Sequence, residues 1–171
     1  MDDLEKARQY NETGLQKMEE CTEEALENFI KALELFPKEK EFLLNHGIAL
    51  FELGLFAEAI TSFNKALKLD PNYIEALYYK AEGQFHREKY NIAITWFTKV
   101  IELNPKHYMA YVMRGCAYAE QEAFEQALVD FSKAIRIDKT VSRAFLHRAV
   151  VYGAMGEKAR SKADYNTMRK L

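Results

Sequence analysis

The apolar positions of the chain recur at helical spacing. From Phe42 the residues Leu43, Leu50 and Leu53 fall at three- and seven-residue offsets, and after a break Phe56, Ala59, Ile60, Phe63 and Leu67 resume the same rhythm. Leu53-Gly54 marks that break and Met155-Gly156 marks a second one, where glycine can close a helix in the left-handed conformation. Asp70-Pro71-Asn72 and Asn104-Pro105 mark the exits of later helices, because proline disfavours helix at the residue before it and suits the start of the next. No stretch alternates as a strand does. The pattern predicts helices in pairs.

The pairs repeat. Pro37, Pro71 and Pro105 are evenly spaced, and the same step carries Ala25 to Ala59, Ala93 and Ala127. It also links Phe29, Phe63, Phe97, Phe131 and Tyr165, then Leu33, Leu67, Ile101 and Ile135, and in each first helix Gly47, Ala81, Gly115 and Ala149. About five units, at 6–39, 40–73, 74–107, 108–141 and 142–171, consume the chain as one continuous domain, 1–171. Gly47 or Gly115 opposite Ala59 or Ala127 lets two helix backbones approach, with Phe63 or Phe131 filling the space beside them. A single hairpin cannot cover its own apolar face, so successive hairpins are expected to stack into a solenoid with a shared core.

The string Asn45-His46-Gly47, Leu50, Gly54, Phe56, Ala59, Phe63, Ala66, Pro71 resembles the tetratricopeptide repeat, and Gly115, Tyr118, Phe124, Ala127, Phe131 and Ala134 match it again. The resemblance covers essentially the whole chain and implies an all-α, right-handed superhelical solenoid of antiparallel helix pairs. It further implies a non-enzymatic protein-interaction module, serving as an adaptor, co-chaperone or assembly factor. Ala81, Val100 and Lys139 are mild departures from the pattern. In the first unit Gly14 lies one residue closer to Ala25 than Gly47 lies to Ala59, which points to a shortened turn around Glu19-Glu20-Cys21-Thr22 with Thr22 as N-cap. The register of the first helix is thereby open by one residue. The last helix, from Lys158 to Leu171, carries Arg160, Lys162, Asp164, Asn166, Arg169 and Lys170. It either serves as its own polar cap or docks on a second copy, which would make the protein a self-assembling scaffold.

In this family the first helix of each unit lines a concave face that holds a peptide or a helix. Carried over, the groove stripe is Tyr10 and Asn11, then Glu41, Leu44, Asn45, Ile48 and Phe51, then Glu75, Tyr78, Glu82 and Phe85, and then Met109, Val112 and Cys116. The stripe is apolar where a solvated face would carry charge, so it is either an exposed interaction patch or a set of residues buried between neighbouring first helices. The basic clamp with which some relatives grip acidic chaperone tails is missing. Its lysine column holds Tyr10, Leu44, Tyr78 and Val112, and a carboxylate tail would find no charge-assisted donors there. The expected ligand is an apolar or amphipathic segment with basic residues facing Glu41, Glu75 and Glu82.

Composition narrows the remaining classes. With 49% apolar residues among 171 and a formal charge of -2, the chain is expected to fold, and without clustered Lys and Arg it is not expected to bind nucleic acid. Cys21 and Cys116 are too few for a disulfide framework or a zinc site, which fits a reducing cytoplasm. No secretory signal is visible, and no stretch approaches the roughly 20 apolar residues of a membrane span. Of the histidines, His46, His86, His107 and His147, none has metal or nucleophile-base spacing. Glu82 with His86, and the column Glu52, His86, Glu120, read as a polar groove rim, so neither catalysis nor a cofactor is expected. Apolar surroundings would raise the Cys116 pKa rather than activate the thiol. Arg114, Arg148 and Lys80 form a basic column expected to pair with acids of a neighbouring helix.

Overall fold

The computed structural model describes residues 2–171, and among them every regular element is an α-helix. There are ten: α1 Asp3–Lys17, α2 Thr22–Leu35, α3 Lys40–Glu52, α4 Phe56–Leu69, α5 Ile74–His86, α6 Tyr90–Leu103, α7 Tyr108–Glu120, α8 Phe124–Ile137, α9 Ser142–Ala154 and α10 Lys158–Met168. They fall into two compact units, Met1–Arg87 and Glu88–Leu171. In the first unit α1 pairs with α2 and α3 with α4, while α3 packs on α2 and α5 on α4. In the second, α7 pairs with α8 and α9 with α10, while α7 packs on α6 and α9 on α8. The short connections make each pair antiparallel.

The phenylalanine column is what the hairpins close around. Phe29, Phe63 and Phe131 are fully buried. A Cβ added to Gly14 would lie 2.6 Å from Phe29 Cε1, one added to Gly115 would lie 2.7 Å from Phe131 Cε1, and Gly47 meets Phe63 in the same way. On its other side the Phe63 ring stacks on Tyr79 of α5 at 5.8 Å, and Phe131 stacks on His147 of α9 at 5.9 Å. Phe63 and Phe131 therefore each fit between a missing side chain on their own hairpin and a flat ring on the next first helix. That geometry joins the pairing of helices to the stacking of hairpins.

The Gly14–Phe29 contact also settles the register of α1. Gly14 takes the role of Gly47, so α1 aligns with α3 at an offset one residue shorter than the step that relates Gly47 to Gly115 through Ala81. The adjustment is a shortened helix offset in part by a longer turn, not the shortened turn that was expected. α1 stops three residues after Gly14, whereas α3 runs five residues past Gly47, and the connection at 18–21 is one residue longer than the one at 53–55. The N-cap of α2 is Cys21, not Thr22 as expected; the Thr22 hydroxyl instead donates back to the Met18 carbonyl at 3.5 Å.

The later turns repeat their backbone form. Gly54 and Gly156 adopt positive φ, 75° and 78°, and so do Glu88 and Glu122 at 58° and 57°, the four positions following one another at the repeat interval. The amides of Leu55, Ala123 and Glu157 donate to the carbonyls of Leu50, Tyr118 and Tyr152 at 2.8–2.9 Å, which is the helix-closing motif such a residue permits. At the other corners Asp70, Asn104 and Asp138 accept from the amides two residues on, at 2.8–3.1 Å. Where Lys139 replaces proline, Asp138 accepts in addition from the Thr140 hydroxyl at 2.7 Å and holds the turn.

The second unit is also stapled by charge, as the basic column led us to expect. Arg114 of α7 donates to both carboxylate oxygens of Asp130 on α8, at 2.7 and 2.8 Å, and to the Thr98 hydroxyl on α6 at 2.9 Å. One repeat further on, Arg148 of α9 does the same with Asp164 on α10 and Ser132 on α8. Both acids are buried. In the first unit the same columns hold His46 and Ser62, 2.9 Å apart, and a cleft of about 270 Å³ lies beside them, edged by Ile30, Leu43 and Lys65.

Candidate binding surface on the first helices

The sequence-derived stripe divides by depth. Leu44, Val112 and Cys116 are buried at 8%, 0% and 9% exposure, so these three positions act as packing. Tyr10, Asn11, Asn45, Ile48, Phe51, Tyr78, Glu82, Phe85 and Met109 are half-buried, and Glu41 and Glu75 are exposed. Tyr10 packs against Ala7 and Ala32 of its own hairpin and Phe42 of α3, with the ammonium groups of Lys6 and Lys31 about 6 Å from the ring centre. Asn45 donates to the Asn11 side-chain carbonyl at 2.9 Å, tying α3 to α1.

In the first unit the structure gathers an aromatic group at the turn end of α3, α4 and α5. Phe51 meets Phe56 at 5.2 Å, Tyr79 at 5.9 Å and His86 at 5.4 Å, each edge to face. Phe56 and His86 stack almost parallel at 4.7 Å, Tyr78 crosses Tyr79 at 5.6 Å, and Phe85 crosses His86 at 5.8 Å. Ile48 and Phe51 lean on the core formed by Leu43, Leu44, Leu50 and Phe63, which fixes the base of the group. Phe56 and Tyr79 were not among the sequence candidates, and His86 entered only as part of a polar groove rim. Their signal was the tight Gly54 turn, which folds residue 56 back onto residue 51.

The surroundings are acidic. Burial first, then the charges of Glu82 and Glu52, raise the Tyr79 pKa. Burial lowers that of His86, so the ring is neutral at neutral pH. At the start of α3, Glu39 and Glu41 hydrogen-bond each other through their side chains; this raises the pKa of Glu39 and lowers that of Glu41. Lys40 beside them is engaged by Asp70 at 2.7 Å and lies 4.9 Å from the Tyr73 ring centre. In the second unit burial, with the Glu120 charge adding to it, pushes the Cys116 thiol up to about 12, far from a reactive thiolate.

Among the described residues no group of three His, Cys, Asp or Glu side chains is placed to hold a metal ion. Among the same residues no helix is long and apolar enough to cross a membrane.

Helix pairs repeated along the sequence and packed on one another within each unit define a helical-repeat protein. A family model described as tetratricopeptide repeat matches residues 19–74, and one described as anaphase-promoting complex, cyclosome, subunit 3 matches residues 52–134. With these matches, the ten helices are consistent with about five tandem tetratricopeptide repeats, a fold that supports a protein-interaction module. Its fold is similar to that of MamA residues 41 to the end from Desulfovibrio magneticus RS-1, at 26% identity over 97% of this chain and 94% of that one, with a TM-score of 0.87. A crystal structure of MamA is similar at 25% identity over 92% of both chains, with a TM-score of 0.81. YrrB, described as a TPR protein with an unusual peptide-binding site, shares the fold at 21% identity over 93% of this chain and 82% of that one, with a TM-score of 0.73. No curated protein sequence matches the chain.

Proposed function

We propose that the protein is a non-enzymatic adaptor that holds an apolar or amphipathic segment of another protein against α1, α3 and α5 of its first unit. The observation that carries this reading is the half-buried aromatic group of Phe51, Tyr78 and Phe85 with the carboxylates of Glu52 and Glu82 near it, and with Glu41 and Glu75 at the opposite ends of the same two helices. Aromatic side chains anchored by their neighbours offer large apolar area at little cost in conformational freedom. The acids favour a segment with Lys or Arg beside its apolar residues. YrrB, of like fold, is described as having a peptide-binding site, and that precedent supports the reading. Work as an adaptor, co-chaperone or assembly factor in a reducing cytoplasm fits such a surface, and free thiols at Cys21 and Cys116 agree with it.

The test is a fluorescence titration of the whole chain with amphipathic helical peptides whose polar faces carry either lysine or glutamate. The lysine series should bind, less tightly as salt rises. Phe51→Ala or Tyr78→Ala should weaken that binding by about 1 to 3 kcal/mol. Unchanged affinity in both variants, with helicity intact, removes this surface from consideration.

A further inference from the structure

A second surface lies apart from the aromatic group, on the outer side of α10. The columns that in earlier second helices hold Phe56, Ile60 and Leu67, or Phe124, Leu128 and Ile135, hold Lys158, Lys162 and Arg169 here, all exposed. In the first unit these columns are where the next first helix settles: a Cβ on Gly83 of α5 would lie 3.1 Å from Ile60, and Leu67 packs against the same core cluster as Tyr73 and Tyr79. On α10 the ring column continues as half-buried Tyr165, and Asn166 stands where Thr98 and Ser132 receive the arginine of the following helix. A shallow cleft of about 450 Å³ runs among these side chains. The nearby acids are occupied elsewhere, Asp164 by Arg148 and Glu157 by Arg160. The face keeps the layout of a stacking surface but has become cationic, so a helix that stacks on it must be acidic.

α1 is such a helix. With its register set by the Gly14–Phe29 contact, the residues in the columns of Ala76, Tyr79 and Gly83 are Gln9, Glu12 and Gln16, all exposed, and Glu5 lies one turn before them. Stacked as α5 stacks on α4, Glu12 would come over Tyr165 between Lys162 and Arg169. Gln16 would come over Lys162, and Glu5 would lie towards Arg169. Arg8, one turn from both Glu5 and Glu12, is the cation nearest this stripe. Its charge acts on Glu39 of the next hairpin, lowering a pKa that the Glu41 hydrogen bond raises, while Lys6 is directed at the Tyr10 ring.

We infer that two copies of the chain associate head to tail, the acidic face of α1 in one docking on the cationic face of α10 in the other. The contact is heterologous, so each added copy leaves both kinds of face available to the next. It is held by charges at a solvent-exposed surface, so it weakens with salt.

Sedimentation velocity on the 171-residue chain reads this directly. The wild type should gain mass with concentration at low salt and lose that gain at high salt. Glu5→Lys with Glu12→Lys should weaken self-association about tenfold or more by setting like charges together, and so should Lys162→Glu with Arg169→Glu. Mixing the two variants restores opposite charges at every junction and should restore assembly. Circular dichroism checks that both variants keep their helices. A wild type that stays monomeric throughout overturns the inference. So do variants that assemble as before, a mixture that does not recover, or a chain that binds acidic peptides at α10 but not its own copies.

Discussion

Arg114 and Asp130 sit on adjacent helices, 16 residues apart, and meet through two parallel hydrogen bonds of 2.7 and 2.8 Å. The Asp130 side chain is 4% exposed and that of Arg114 is 17%, so the pair is out of water and relies on its partners. Arg114→Ala should destabilise the chain by about 3 kcal/mol, because it leaves a buried carboxylate without its cation. Replacing both residues, by Met at 114 and Leu at 130, should recover most of that loss. Urea unfolding of the single and double variants decides between these outcomes.

Because His46 and Ser62 occupy the corresponding columns of the first unit, the staple can be moved there. His46→Arg alone should destabilise by about 1 to 3 kcal/mol, since the guanidinium finds no carboxylate. With Ser62→Asp and Ile30→Thr added, the group would fill the neighbouring cleft and regain its three partners, returning stability to within about 1 kcal/mol of wild type. Melting temperatures of the series measure this.

Gly47→Ala and Gly115→Ala would press a methyl group into Phe63 and Phe131, both fully buried. Alanine ordinarily favours a helix over glycine, but here overpacking should prevail, with a net loss of about 1 to 3 kcal/mol in urea titrations.

Glu122 holds a left-handed backbone conformation that glycine takes without strain. Glu122→Gly should therefore stabilise the chain by roughly 1 kcal/mol, offset in part by the greater freedom of unfolded glycine. By the same reasoning Gly156→Ala should destabilise it, and thermal melts of the two should move in opposite directions.

Burial is the first cause, and a nearby cation the second, that lowers the pKa of both His46 and His147. Their neutral forms are favoured in the folded state, so the unfolded chain binds protons first as pH falls. The stability this contributes is complete above about pH 6.5 and is lost as pH drops through the depressed folded values. Melting temperature should fall from about pH 7.5 to about pH 5.5, ahead of the carboxylates Asp70 and Asp138, whose pKa values are lowered by their own hydrogen bonds. His46→Gln should reduce the slope in that interval.

The architecture was legible because one interval places glycine, alanine and phenylalanine in columns, and those columns are the packing contacts themselves. What lay outside them was harder to read. Glu88 and Glu122 gave no sign of their turn conformation by residue type, although stepping one repeat at a time from Gly54 reaches both. Thr22 is a better N-cap by composition than Cys21, but the cap is set by where the turn ends, and that followed from the Gly14–Phe29 contact. On the binding stripe, Leu44 and Val112 share the periodicity of Phe51 and Tyr78 yet are buried. Periodicity gives direction around a helix, whereas depth depends on the neighbouring helices, which a single repeat does not encode.

The slip of one residue between α1 and the later first helices shows where length variation is tolerated. The chain gave up two residues at the end of α1 and took one back in the connection, while Gly14 stayed against Phe29. Insertions or deletions at hairpin corners should thus be absorbed as long as the glycine stays against its phenylalanine, whereas one inside a helix would turn the residues beyond it off their packing face. Corners are accordingly the places to graft a tag, a cleavage site or a foreign loop.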